Sequence, residues 1–241
     1  MLYGVETSMN LLRVVTCLLF LFISACATVQ KPPLVPVPGS SVDTLSSSVS
    51  LSLRTAGGTV SGNGLMTYRR PDQFHFVMLS PFGSTVLEAF ALGDRLTLVY
   101  PSQAVAYSGR FEELPQGSGM AGWRLLRWVM DTAPSVMAGM SGTIQRSNSV
   151  VGSESVTFAS GLVTHKTAPT GDRVSYGAYE MVNGVPFAGK LEMLTMDNDR
   201  ILLGFQEPEV NLALDLSDFT PRLKGVKILP LSALPVAAPG E

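Results

Sequence analysis

Runs in which every second residue is apolar recur along most of the chain. Val49, Leu51 and Leu53 alternate with serines, and Phe74, Phe76 and Met78 alternate with Gln73, His75 and Val77. Leu96, Leu98 and Tyr100 follow, and later Val210, Leu212 and Leu214 stand against Asn211 and Asp215. A period of two with turn residues between the runs predicts antiparallel strands that bury one face of a sheet. Asn183-Gly184 predicts a hairpin between runs at 176–181 and 187–196, and Asp197-Asn198 starts another turn. Gly57, Gly58, Gly62 and Gly64 crowd the second run, and interior glycines often mark bends in strongly curved sheets. These segments predict about eight to eleven strands.

One helical period interrupts them, over 119–131. Met120, Trp123, Leu126 and Met130 share a stripe that Leu125 and Trp128 widen, Arg124 and Arg127 lie elsewhere, and Pro134 closes the run. So broad an apolar face suits an ordinary core helix on a sheet, or a helix lying over an apolar ligand. A second short helix around 135–140 is weakened by nearby glycines.

Composition agrees with a sheet. Among 241 residues, 46% are hydrophobic and only 15% charged, with 23 Gly and 16 Pro, which favours a sheet-rich, turn-rich globular domain over a disordered or coiled-coil chain. The net charge of -2 provides no basic field for nucleic acid.

The N-terminal segment has its own pattern. Arg13 precedes an apolar run at 14–22, broken only by Thr16 and Cys17, and Ile23-Ser24-Ala25-Cys26 follows. A basic start, a short apolar run and small residues predict a signal peptide, too short to span a bilayer and stay. Ile-Ser-Ala-Cys resembles the lipobox of bacterial lipoproteins. That resemblance implies cleavage before Cys26 and lipid on its thiol and freed amine, an anchor that two acyl chains already make stable. The other reading is an ordinary secretory signal. Ala27 stands where such proteins carry aspartate for inner-membrane retention, so the implied location is the outer membrane, lipid-anchored, with the domain facing the periplasm. Translation starts at Met1 or Met9. Both cysteines belong to this region, so the domain has no disulfide framework. The segment 31–41, KPPLVPVPGSS, reads as an extended tether rising ~3.1 Å per residue. The expected organisation is signal peptide 1–25, lipidated cysteine and tether 26–44, folded domain 45–232 and flexible tail 233–241.

Catalytic signals are missing. His75 and His165 are the only histidines, and no G-x-S-x-G elbow, H-E-x-x-H or P-loop occurs. His165 falls near an expected turn. Glu112-Glu113 reads as a solvated acidic pair, and Asp197 with Asp199 as a turn. The expectation is a protein that is not an enzyme and carries neither metal nor cofactor.

The segment 68–109 reads YRRPDQFHFVMLSPFGSTVLEAFALGDRLTLVYPSQAVAYSG. A strand end at Arg69-Arg70-Pro71, an aromatic strand, a Pro-x-Gly loop and further strands resemble the LolA/LolB superfamily of lipoprotein carriers. Ser80-Pro81-Phe82-Gly83-Ser84-Thr85 resembles most closely the outer-membrane receptor branch, LolB, with Phe82 in place of the usual leucine. Gly119-Met120-Ala121-Gly122-Trp123 and the run from Val185-Pro186-Phe187 to Leu231 extend the similarity over about 45–230. The tail, with Phe219, Pro221, Val226 and Ile228, is closer to general carrier-type relatives.

The resemblance implies a mainly β (α+β) fold, a strongly curved antiparallel half-barrel with helices covering its concave face. Its apolar cavity would take lipoprotein acyl chains, lined here by Phe74, Phe76, Met78, Leu87, Leu98, Trp123, Leu126, Met130, Leu191 and Met193. Phe82 would engage the membrane; its other reading is a core plug at a strand end. At ~0.8 kcal/mol per CH₂, a chain of about 16 carbons in water costs on the order of 10 kcal/mol, so a travelling lipoprotein needs an apolar sleeve. Eleven methionines suit that task, because thioethers adapt to irregular ligands. The implied protein is a monomeric receptor that takes lipoproteins from a periplasmic LolA-type carrier and inserts them into the outer membrane. The alternatives are an anchored structural or adaptor lipoprotein, or a binder of another hydrophobic ligand, on the same fold.

Overall fold

The computed structural model describes residues 34, 39–117, 119–131 and 139–235. All belong to the second of two units into which the chain divides, Pro33–Glu241. Cys26, the signal segment, most of the tether, and 135–138 of the second expected helix lie outside the described residues.

The alternating runs form two meanders. The first comprises β1 (Thr44–Thr55), β2 (Gly58–Arg69), β3 (Gln73–Leu79), β4 (Thr85–Leu92), β5 (Arg95–Tyr100) and β6 (Val105–Arg110). The helix α1 (Met120–Met130) follows. The second meander is β7 (Gly142–Asn148), β8 (Gly152–Ala159), β9 (Leu162–Thr167), β10 (Arg173–Val182), β11 (Val185–Leu194) and β12 (Arg200–Val210), and β13 (Lys227–Pro230) comes last. Antiparallel pairing of β1 with β12 joins the meanders. The product is one 13-stranded open sheet in the order β13-β6-β5-β4-β3-β2-β1-β12-β11-β10-β9-β8-β7, with only β13 parallel to its neighbour.

The strand count exceeds the eight to eleven expected. β7, GTIQRSN, is mostly exposed and offers no apolar alternation to read, and β13 has only four residues. The hairpin expected at Asn183-Gly184 joins β10 to β11, with φ of 47° and 77°, as a primed turn requires. The strand expected through Leu214 stops at Val210. Asn211 takes a φ of 60°, and its side-chain oxygen accepts from the Asp43 and Thr44 amides, which turns the chain away.

The sheet is strongly bent. Trp123 stacks on Phe74 of β3, ring centroids 6.4 Å apart, while Trp128 donates its indole N–H to Glu154 of β8. Those strands are seven places apart, about 34 Å in a flat sheet at ~4.8 Å per strand. The two tryptophans are only about 7.5 Å apart along the helix axis. The Asp131 carboxylate likewise pairs with Arg70 at the end of β2 (2.5 Å) and with Arg146 of β7 (3.8 Å). One helix thus touches parts of the sheet that lie far apart in strand order. Gly64 permits part of that bend, since a Cβ there would lie 2.0 Å from the Val77 carbonyl oxygen.

Candidate functional site

The two ends of α1 are held by groups of matching charge. At the N-terminal end the buried Asp199 carboxylate accepts the Gly119 amide at 2.6 Å. Asp199 is therefore a helix anchor as well as the turn residue its sequence neighbourhood suggested. At the C-terminal end Lys166 Nζ donates to the carbonyls of Trp128 (2.7 Å) and Asp131 (2.9 Å), and the Tyr176 hydroxyl donates to that of Val129 (2.7 Å). These bonds satisfy carbonyls that a helix end leaves unpaired, and a cation suits that end of the dipole. Glu154 completes the cluster: it accepts from Trp128 Nε1 at 2.5 Å, pairs with Lys166 at 3.2 Å and accepts from Arg146 Nε. Burial lowers the Lys166 pKa to about 8, against the opposing pull of Glu154.

This seat sets the rotation of the helix. Leu125, Trp128, Val129 and Met130 are buried, whereas Met120, Trp123 and Leu126, expected on the central stripe, are half-buried. The Trp128 indole must meet Glu154, which turns the buried face by about one residue from the one periodicity suggests. Scattered charges along the chain carry little sign of this cluster. Its members come from four strands and a helix end, and only Lys166 and Glu154 in otherwise alternating runs hint at it.

The residues named as cavity lining converge between helix and sheet. Phe74, Phe76, Leu87, Leu98, Met130, Leu191 and Met193 are buried and Met78 is half-buried, all in one apolar cluster that Trp123 and Leu126 flank. Trp123 also meets Phe76 edge-on at 6.3 Å, and the helix backbone at Gly122 lies against Ile201 and Met193. In this conformation those side chains fill one another's space.

Phe82 stands apart. It is 95% exposed at the tip of the β3–β4 hairpin. The turn beneath it is closed by Ser80 N–H to the Ser84 carbonyl (2.8 Å) and Gly83 N–H to the Ser80 carbonyl (2.9 Å). The Ser80 hydroxyl oxygen also accepts the Phe82 and Ser84 amides. The ring is thus presented to solvent by a hydrogen-bonded turn.

A trough of about 810 Å³ lies on the other face of the sheet. Leu53 and Ile201 look towards the helix, and paired residues share a face. Ser50, Ser52, Ser61, Asn63, Lys190 and Leu202 therefore look away from it. These side chains line the trough, and Leu79, Ser80 and Pro81 close one end beside Phe82.

The histidines lie on separate strands. His75 of β3 stacks on Phe90 at 4.1 Å with Nε2 3.4 Å from Glu88, and burial lowers its pKa although Glu88 opposes the shift. His165 is in β9, opposite Thr157 and Ser175, with a turn closed by Gly171 N–H to the Ala168 carbonyl just beyond the strand. Among the described residues no three His, Cys, Asp or Glu side chains gather closely enough to hold a metal ion.

No family model and no curated protein sequence matches the chain. Solved structures do. A LolA-superfamily protein from Nitrosomonas europaea superposes with a TM-score of 0.51 at 9% identity, over 78% of this chain and 93% of its own. The chain shares its fold with that protein. A domain described as an outer-membrane lipoprotein-sorting protein, from Vibrio parahaemolyticus, gives 0.52 at 8% identity, over 75% of this chain and 90% of its own. A DUF1329-family protein from Desulfovibrio piger gives 0.55 at 8% identity, over 75% and 91%. Identities this low show a shared architecture and leave function to the residues of this chain.

Proposed function

We propose that this protein is a LolB-type envelope lipoprotein, anchored in the outer membrane through Cys26. It receives lipoproteins by their acyl chains and inserts them into that membrane. The observation that carries the reading is Phe82, an aromatic ring 95% exposed on a turn whose hydrogen bonds point it outward. Burying such a ring in a bilayer returns about 1.5–3 kcal/mol, enough to orient a tethered domain against its membrane. The fold supports the reading by supplying a curved sheet under a helix, with an apolar layer between them. Because that layer is closed here, α1 must lift for a chain to enter. Its half-buried Trp123 and Leu126 are the first surfaces an incoming chain would meet. A LolA-type carrier would deliver the cargo. No nucleotide is needed if each successive site binds more tightly and the bilayer is the final sink. The reading is of a monomeric binding protein that makes and breaks no covalent bond.

Phe82→Glu tests it. The substitution is expected to leave the thermal midpoint unchanged, since the ring touches no core, and to abolish transfer of carrier-bound lipoprotein into outer-membrane vesicles. Normal transfer by that variant would remove Phe82 from the mechanism. The close contact of Trp123 with Phe74 and Phe76 favours a second reading, a tethered adaptor with a filled interior. Lipid extract that leaves no displaceable ligand on the protein would decide for the adaptor.

A further inference from the structure

The trough on the face away from α1 has a composition unlike the rest of the sheet. Serines at 50, 52 and 61 and glycine at 204 keep its floor low. The floor cannot readily fill, since a Cβ on Gly204 would come 2.8 Å from the Ser50 hydroxyl oxygen. The hydroxyls are largely used: Ser61 donates to Ser52 at 3.0 Å, and Ser50 to the Gly204 carbonyl at 3.5 Å. What remains towards a ligand is small-residue surface and the Asn63 amide, walled by Leu79, Pro81 and Leu202.

One charge lines it. Lys190 is exposed and has no ion-pair partner among the described residues, while its neighbour Glu192 is taken by Arg200 at 2.7 Å. The lining runs from the β3–β4 turn to Ala178 of β10, across five strand spacings of roughly 4.8 Å each. Its volume falls in the range of about 300–1,000 Å³ typical of small-molecule sites.

We propose that this trough binds one single-chain anionic lipid, its acidic head on Lys190 and its tail along Leu202 and Leu79 towards Pro81. The exit at Pro81 adjoins Phe82, so a lipid leaving the trough would enter whatever bilayer Phe82 touches. Only this last point rests on the membrane reading above. The trough shares only Leu51 and Leu203 with the layer beneath α1, so one ligand can occupy it while the helix stays closed.

The test uses the full chain and cis-parinaric acid, whose fluorescence rises in an apolar site, beside its uncharged methyl ester. The acid is expected to bind one to one, and the ester about fivefold more weakly, the scale of one exposed ion pair. Lys190→Gln should weaken the acid about fivefold and leave the ester unchanged. Ser52→Trp, which fills the floor, should abolish binding of both, with circular dichroism showing that the sheet is kept. Acid binding indifferent to both substitutions would place the ligand elsewhere and overturn the proposal, as would absence of binding. Lipoprotein transfer, measured on the same two variants, is expected to persist. Loss of the trough and loss of the receptor reading therefore give different results.

Discussion

On β1, Leu51 and Leu53 look towards α1 while Ser50 and Ser52 look the other way, and β12 repeats the contrast with Leu203 against Gly204. The same backbone thus presents a face sealed by a helix and a face left as an open trough. The sealed side is held by a polar seat at each helix end as well as by its apolar layer, which ties stability to a few buried charges. The open side owes its shape to the small size of its residues, so little stability rests on it. A ligand on the sealed side must displace protein, whereas one on the open side displaces only water.

The contrast can be broken most severely at Trp128, which is fully buried. Trp128→Ala should cost about 3–5 kcal/mol in urea unfolding, because it opens a cavity and leaves the Glu154 carboxylate short of a donor. A loss below about 1 kcal/mol would mean that the helix contributes little to the fold.

Next comes Lys166, whose folded pKa is lowered to about 8 from an ordinary value near 10.5. Below pH 8 both states hold the proton, and the unfavourable burial of the charge is fully felt. Between pH 8 and 10.5 the unfolded chain binds more protons, so stability should rise with pH, by on the order of 3 kcal/mol at most. Above pH 10 Tyr68 works the other way, since burial raises its pKa to about 12 and the folded state keeps its proton longer. The difference between the wild type and Lys166→Met across pH 8–10 isolates the lysine. A flat difference would show that the ammonium is not buried as described.

A smaller effect is expected from Gly64→Ala, which forces β2 and β3 apart where the sheet bends. About 1–3 kcal/mol should be lost, with the far-ultraviolet spectrum retained. An unchanged midpoint would show that the close approach is not needed for the bend.

Much of the architecture was legible because local chemistry decides it. Period-two runs became strands, and Asn183-Gly184 became a turn because both residues accept positive φ. The failures share one physical origin, contacts distant in sequence. Nothing near Val210 announces that Asn211 will clamp the chain 168 residues earlier, at Asp43. Helical periodicity cannot know that Glu154 will select Trp128 in place of Trp123. Part of the apolar layer, including Phe74, Phe76 and Leu98, was legible from the alternation of its strands. The trough was not, because it exists only once the register aligns Ser50 with Asn63 and Gly204.

Asp131 has a mechanical role beyond charge balance. By gripping Arg70 and Arg146 it acts as a brace between two regions of the sheet that the chain connects only by the long way round. It adds to the ties that Trp123 and Trp128 make between the helix and the same regions. A short side chain just past the end of a helix thereby links strands that stand far apart in the sheet.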